Sequence, residues 1–205
     1  MTPGSPRRRS LVDEAKKLPN ILTFLRIALI PPVMWLMLEQ TPIGNFFATI
    51  LFAVAAITDW LDGWLARRQG LESVLGKFLD PLADKLIVTA VLVLAAELGR
   101  IPGWFVVLLL SRELTITGLR AIASTEGLSI DVAQSGKLKT ALQLIGLVGL
   151  LIHERYLVDF VFTAEVVDFN AMGTVLLAIS MVFSLASAFT YFRGFGRALS
   201  TRAHE

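Results

Sequence analysis

The chain has 205 residues and a mass of 22.5 kDa; 55% of the residues are hydrophobic, 18% are charged, and the mean hydropathy is +0.67. This composition excludes an ordinary soluble enzyme and a disordered chain, because both contain far more polar residues. The net charge of +2 is small, and the absence of cysteine excludes disulfides, thiolate metal sites and cysteine nucleophiles. Since the two histidines, His153 and His204, flank no recognisable site, a metal ion would have to be a hard cation on carboxylates.

The residues predict two short N-terminal segments followed by six apolar runs. Residues 1–10 contain mainly Pro, Gly, Ser and Arg, which indicates a disordered basic tail, and residues 10–19 have the apolar spacing of a short interfacial helix. The apolar runs cover residues 21–38, 44–61, 79–96, 102–123, 138–153 and 171–192, each near the roughly 20 residues that cross a bilayer. The fold class is therefore predicted to be an all-α integral membrane protein with six transmembrane helices. We expect one domain over residues 11–193 and a cytoplasmic tail over residues 194–205.

The distribution of basic residues predicts the orientation in the membrane. Fifteen Lys and Arg residues lie before the first run, in the second and fourth loops or after the last run, whereas the opposite loops contain only Arg100 and Arg155. Cytoplasmic loops have an excess of Lys and Arg. We therefore expect a multi-pass protein of the cell membrane with both termini in the cytoplasm.

Four aspartates lie where the second run ends and the third begins. Asp59 and Asp62 are three residues apart, and Asp80 and Asp84 are four apart, so each pair lies on one helix face. Four neighbouring carboxylates near a membrane need neutralising cations. Carboxylates without thiols or imidazoles suit Mg²⁺ or Mn²⁺, and four of them can bridge two ions about 3.5 to 4 Å apart, as in phosphoryl displacement.

The same stretch, DWLDGWLARRQGLESVLGKFLDPLADK from Asp59, resembles the signature of the CDP-alcohol phosphotransferase family. The resemblance implies six transmembrane helices, two divalent cations per active site, and transfer of a phosphatidyl or related group from a CDP-linked donor to an alcohol. It implies that the four aspartates bind metal and that Asp84 is also the general base. It further implies a homodimer, which the Gly and Ala content of the fifth and sixth runs would permit.

The resemblance also implies a site for the CDP moiety of the donor. Two of its glycines would let the ligand approach the backbone, an alanine would keep the helix face open, and an arginine would contact phosphate. The predicted residues are Asn20, Thr23, Gly63, Ala66, Arg67, Ser73 and Gly76. Other interpretations remain open: the glycines could serve helix packing, Arg67 could be a topology charge, and Asn20 could be a helix N-cap.

A second set of polar residues indicates which alcohol accepts the group. The fourth run contains SRELTITGLR, in which Arg112 and Glu113 lie deep in an apolar segment, and the fifth begins in GKLKT. Arg112 and Glu113 could pair with each other, but sequence neighbours point about 100° apart on a helix, so we expect Glu113 to pair with another basic group or to orient a ligand arginine, which leaves Arg112 for an anion. The predicted acceptor-phosphate residues are Arg112, Arg120, Lys137, Lys139 and Thr140, although topology alone could explain the lysines.

These segments resemble those of the family branch that uses sn-glycerol 3-phosphate, over residues from Leu18 to about Arg193. The implied reaction takes CDP-diacylglycerol and sn-glycerol 3-phosphate to phosphatidylglycerophosphate and CMP. Phosphatidylinositol phosphate, cardiolipin and phosphatidylserine synthases are alternatives with the same aspartates. An ion transporter is a more distant alternative, because its acids usually lie near the bilayer midplane. We expect membrane lipid, and no nucleic acid, as a partner.

Overall fold

The computed structural model describes residues 18–69, 74–126, 135–160 and 163–202. Within them, only the backbone is described at 18–20, 59–69, 74–81, 135–137, 160, 163–164 and 198–202. The chain forms two compact units, Met1–Val91 and Leu92–Glu205. The predicted basic tail and interfacial helix fall almost entirely outside the described residues.

The first unit contains α1 (Leu18–Leu38), α2 (Pro42–Gln69) and most of α3 (Val74–Glu97). Thr41 caps α2, since its hydroxyl accepts the N–H of Gly44 at 3.0 Å, and Pro42 occupies the first helical position, where no amide donor is needed. Helices α1 and α2 pack together, and their buried residues include Val33 and Met37 of α1 and Phe52 of α2.

The second unit contains the end of α3, α4 (Gly103–Thr125), α5 (Ser135–Ile152), β1 (Arg155–Phe160), β2 (Thr163–Asp168) and α6 (Phe169–Arg202). Gly99 ends α3 with a φ of 71°, and the N–H of Arg100 donates to the carbonyl of Ala95 at 2.8 Å. This is the helix-ending motif in which glycine adopts the left-handed conformation without a side-chain penalty. Pro102 then precedes α4, so the turn between the helices is short.

Three glycines bring α5 and α6 into close contact. A Cβ added at Gly149 would lie 2.7 Å from the Cα of Gly173, and one added at Gly173 would lie 2.6 Å from the carbonyl oxygen of Gly146. These distances leave no room for a side chain at any of the three positions. The close approach holds α5 directly against α6. Helix α5 contains Lys139 and Thr140, two predicted acceptor-site residues whose side chains are described.

The six helices confirm the predicted helices at all six apolar runs, so the fold is mostly helical as predicted, but a β-hairpin between α5 and α6 was not predicted. Strands β1 and β2 form an antiparallel hairpin in which Arg155 pairs with Asp168 and Leu157 with Val166. The segment is rich in β-branched and aromatic residues, which favour strands, but its acidic residues interrupt the pattern. The last helix also continues to Arg202, ten residues beyond the end of the sixth apolar run at residue 192.

Two helices in the described part of the chain are long and apolar enough to cross a membrane. They are Ile21–Leu38 and Phe169–Arg197, both with a mean hydropathy of 2.0. The apolar parts of α2 and α5, Pro42–Thr58 and Leu138–Ile152, are shorter. The chain therefore has the features of a membrane protein.

Candidate functional site

The predicted metal ligands lie on two helices of the first unit. Asp59 and Asp62 lie in α2 and Asp80 and Asp84 in α3, so each pair is separated by about one helical turn, as predicted. The side chain of Asp84 is exposed, whereas those of the other three are not described. Among the residues whose side chains are described, no three acidic or histidine side chains form a group that could hold a metal ion. The convergence of the four carboxylates therefore stays a prediction.

For most of the predicted CDP-site residues, the structure describes the backbone but not the side chain. Gly63, Ala66 and Arg67 lie in α2 and Gly76 in α3, and Ser73 lies outside the described residues. In α1, Thr23 is buried. Asn20 lies within the helix, which begins at Leu18, so the alternative interpretation of Asn20 as an N-cap is not supported.

Arg26 is a buried arginine in α1 that the sequence interpretation did not use. It is 2% exposed, and its Nε donates to the carbonyl of Ala55 on α2 at 3.3 Å. Arginine inside an apolar span is costly unless it is satisfied, which was the available signal. Ala55 lies one turn before Asp59, so Arg26 connects α1 to the segment of α2 that leads into the predicted metal ligands.

In the second unit, Arg112, Glu113 and Lys139 form one ionic cluster. Glu113 Oε2 accepts from Lys139 Nζ at 2.6 Å and from Arg112 Nη1 at 3.1 Å. Glu113 thus pairs with another basic group, Lys139, as expected, and also with Arg112, the pairing that the sequence left open. The long side chains of neighbouring residues can bend to meet at their tips, although their Cβ atoms point apart.

Helix α6 contacts both basic residues of this cluster at Ser184 and Ser180. Arg112 Nε donates to the carbonyl of Ser184 at 3.0 Å, and the hydroxyl of Ser180 donates to the carbonyl of Lys139 at 3.0 Å. Both serines are buried, and the Ser184 hydroxyl has no hydrogen-bond partner within the described residues. The sequence did not reveal their role, because serine is common in membrane helices.

The other predicted acceptor-site residues have different environments. The guanidinium of Arg120 lies over the ring of Tyr191, 5.9 Å from its centroid, and its charge acts on both Arg112 and Lys139. Tyr191 is buried against Ile116 of α4. Thr140 is exposed near the start of α5. Lys137 lies in the first turn of the same helix, and its side chain is not described. Arg112, Arg120 and Lys139 are therefore brought together.

A group of polar residues lies near the β1–β2 hairpin in the second unit, and the sequence interpretation did not use it. Arg100 is buried, and its Nη1 donates to the carbonyls of Leu150 and Leu151 at 3.0 and 3.2 Å, satisfying the C-terminal end of α5. Burial lowers the pKa of the Arg100 guanidinium, and the charge of Glu154 opposes this shift. An open cavity of about 420 Å³ lies nearby, lined by His153, Glu154, Arg155, Asp168 and Asn170.

Asp168 joins the hairpin to α6 as the helix N-cap. Its Oδ1 accepts the N–H of Ala171 at 2.8 Å, and its Oδ2 accepts from Arg155 Nε at 2.8 Å. The Ala171 amide and then the Arg155 guanidinium hold the pKa of the Asp168 carboxyl below its ordinary value. None of the predicted functional residues lies in this group.

Comparison with known proteins gives a consistent family assignment. Residues 16–192 match the family model described as CDP-alcohol phosphatidyltransferase. A Bacillus subtilis protein named CDP-diacylglycerol–glycerol-3-phosphate 3-phosphatidyltransferase is 37% identical over 196 residues, which cover 90% of this chain and 97% of that protein. Proteins with the same name from Rickettsia bellii and Shigella flexneri are 31% and 34% identical, covering 89% and 85% of this chain and 96% and 92% of those proteins. These matches confirm the resemblance inferred from the aspartate-rich segment.

Proposed function

Because the chain belongs to the CDP-alcohol phosphatidyltransferase family, we propose that it transfers the phosphatidyl group of CDP-diacylglycerol to sn-glycerol 3-phosphate. The products are phosphatidylglycerophosphate and CMP, and the reaction belongs to phospholipid biosynthesis. The names of the relatives from Bacillus subtilis, Rickettsia bellii and Shigella flexneri support this assignment.

One observation of the structure supports a phosphorylated acceptor in particular. Arg112 and Lys139 come from different helices and meet at one carboxylate, with Arg120 near enough for its charge to act on both. The side chains of Arg112 and Lys139 are each only 9% exposed. Charges this far from water are costly unless they are paired, and the single carboxylate of Glu113 can neutralise only one of the two cations. A phosphate monoester would justify them, whereas a neutral alcohol would not.

For the donor half of the site, we propose two divalent cations, Mg²⁺ or Mn²⁺, on Asp59, Asp62, Asp80 and Asp84. The donor set is chemically suitable, since hard cations prefer carboxylate oxygens, and α2 and α3 each provide two carboxylates one turn apart. When bound, such ions would neutralise the charge of the donor pyrophosphate. Near them would lie the predicted CDP-site residues Asn20, Thr23, Gly63, Ala66, Arg67, Ser73 and Gly76.

The chain's own groups then have separate tasks in the transfer. The acceptor hydroxyl oxygen forms a bond to the phosphorus that carries diacylglycerol, and the bond from that phosphorus to the oxygen of CMP breaks. Asp84, whose side chain is exposed, takes the proton of the attacking hydroxyl as general base. Arg112, Arg120 and Lys139, with Lys137 and Thr140, bind the acceptor phosphate and so orient the hydroxyl.

The proposed membrane arrangement has six spans in the cell membrane, cytoplasmic termini, and a homodimer as the functional form. The six helices coincide with the six apolar runs, and the bias of basic residues supports the orientation. Because the chain lacks cysteine, Ser73→Cys provides a single labelling site in the second loop. Labelling by a membrane-impermeant maleimide is expected only after the cells are opened, and labelling of intact cells would contradict the orientation.

The proposed function is tested by acceptor specificity in a purified assay. CDP-diacylglycerol is held constant, and release of CMP is measured with glycerol 3-phosphate, inositol phosphate, inositol, serine or phosphatidylglycerol as the acceptor. We expect glycerol 3-phosphate to give the highest kcat/KM. Preference for another acceptor would keep the family assignment but reject this reaction, and failure to release CMP with any acceptor would reject the enzyme itself.

A further inference from the structure

We propose that Glu113 is a positioning residue. It holds the side chains of Arg112 and Lys139 together where they bind the acceptor's phosphate, and it sets the net charge of that site. This inference rests on the proposed function, because it assigns a role within the same acceptor site. Glu113 does not contact the substrate in this proposal; it acts through the two cations.

The contacts of Glu113 place it between two helices. Its Oε2 binds Lys139 Nζ of α5 at 2.6 Å and Arg112 Nη1 of α4 at 3.1 Å. Without this shared anion, the guanidinium and the ammonium would repel each other in a poorly solvated environment. The carboxylate therefore allows two like charges to remain close together before any substrate arrives.

The geometry leaves both cations able to bind a further anion. Within the described residues, the contacts of Arg112 to Ser184 and Glu113 use two of the five N–H groups of a guanidinium. The contact of Lys139 with Glu113 uses one of the three N–H groups of an ammonium. The other donors belong to groups whose positions are already fixed, so binding a phosphate would cost little side-chain entropy.

The charges of the cluster match one class of ligand. Among the described side chains of the cluster, Arg112, Lys139 and the nearby Arg120 contribute three positive charges and Glu113 one negative charge, which leaves a net charge of two. A phosphate monoester carries about 1.5 to 2 negative charges at neutral pH. The cluster with Glu113 thus complements a phosphate monoester, whereas the same cations without Glu113 would have an excess of positive charge.

The experiment compares the wild-type enzyme with Glu113→Gln, which keeps the shape of the side chain and removes its charge. The KM for glycerol 3-phosphate is expected to rise about tenfold or more, because a charge-assisted hydrogen bond to Lys139 is lost. The KM for CDP-diacylglycerol should stay within about twofold, because Glu113 contacts only the cations of the acceptor site. Inorganic phosphate should likewise become a weaker competitive inhibitor. Glu165→Gln, the same change at an exposed position of β2, is the matched control and should leave all of these values unchanged.

Three results would overturn the inference. A lower KM for glycerol 3-phosphate in Glu113→Gln would mean that the carboxylate competes with the phosphate. Equal changes in both KM values, together with a lower melting temperature, would mean that Glu113 is merely structural. An unchanged KM would mean that Glu113 has no role in the acceptor site. In each case, turnover of glycerol 3-phosphate by the wild-type enzyme would leave the proposed function intact.

A double-mutant cycle gives a second test that does not depend on Glu113→Gln alone. Because Glu113 acts partly through Lys139, the Glu113→Gln/Lys139→Gln variant should raise the acceptor KM by clearly less than the product of the two single effects. Fully additive effects would contradict the inference. Should Glu113→Gln fail to fold, Glu113→Asp keeps the charge but is too short to contact both cations, and its acceptor KM should rise severalfold; an unchanged value would also contradict the inference.

Discussion

Gly149→Ala tests whether the close contact between α5 and α6 supports the acceptor site. The new Cβ would lie 2.7 Å from the Cα of Gly173 and 2.8 Å from the carbonyl oxygen of Phe169. Ordinary contacts of this kind are about 3.5 Å or longer, so the helices would have to separate by roughly 0.8 Å. Both obstructing atoms belong to backbone, which cannot move aside as a side chain can.

The magnitude follows from two opposing effects. Overpacking lowers the free energy of unfolding by about 1 to 3 kcal/mol, whereas replacing a helical glycine by alanine raises it by about 0.5 to 1 kcal/mol. The net loss is therefore between zero and about 2.5 kcal/mol, which for a domain of this size lowers the melting temperature by up to about 10 °C. Separation of α5 from α6 also moves Lys139 away from Ser180, so the KM for the acceptor should rise.

The assay compares thermal unfolding of the purified variants in one detergent at one scan rate. Gly196→Ala is the matched control, since a Cβ at this position on α6 would meet nothing within 4 Å. Its melting temperature should equal or exceed the wild-type value. A Gly149→Ala protein as stable as Gly196→Ala would refute the argument from the helix contact.

Three further predictions concern single residues. Asp84→Asn should lower kcat by orders of magnitude while largely retaining donor binding, and near-normal turnover would rule out Asp84 as the general base. Tyr191→Leu should raise the acceptor KM up to about tenfold, because the ring under Arg120 is lost, whereas Tyr191→Phe keeps the ring and should not; equal KM values in the two variants would contradict this role. The pKa of Asp168 is lowered in the folded state, so its contribution to stability is present above the ordinary Asp pKa of about 4 and is lost as pH falls through the lower folded value. The melting-temperature advantage of the wild type over Asp168→Asn should therefore shrink in acid, and an advantage independent of pH would show that the carboxylate charge is not involved.

The positions of the helices could be predicted from the sequence, because the apolar runs are long and bounded by charges or by proline. The region after α5 could not: Asp159 and Glu165 interrupt the apolar pattern of β1 and β2, and the pairing of Arg155 with Asp168 depends on register, which composition does not reveal. The extension of α6 to Arg202 was missed for a related reason, since its last turns contain three arginines and two glycines and lie beyond the continuous apolar run.

The features of the site that depend on residues close together in the sequence could be predicted. The aspartate spacing specified two helix faces from sequence alone, and Arg112 and Lys139 stood out as charges in apolar segments. The contribution of Glu113 was underestimated, because the meeting of long side chains depends on rotamers, and the spacing rule for helices refers only to Cβ directions. Ser180, Ser184 and Tyr191 act through the packing of α6 against α4 and α5, which no local pattern specifies.

The most direct measurement is product analysis of the purified protein incubated with CDP-diacylglycerol, isotopically labelled glycerol 3-phosphate and Mg²⁺. The account predicts a labelled lipid with the mass of phosphatidylglycerophosphate, formed in a one-to-one ratio with CMP and absent when glycerol 3-phosphate is omitted. Release of CMP at the same rate without glycerol 3-phosphate, or a lipid product that contains none of the label, would contradict it.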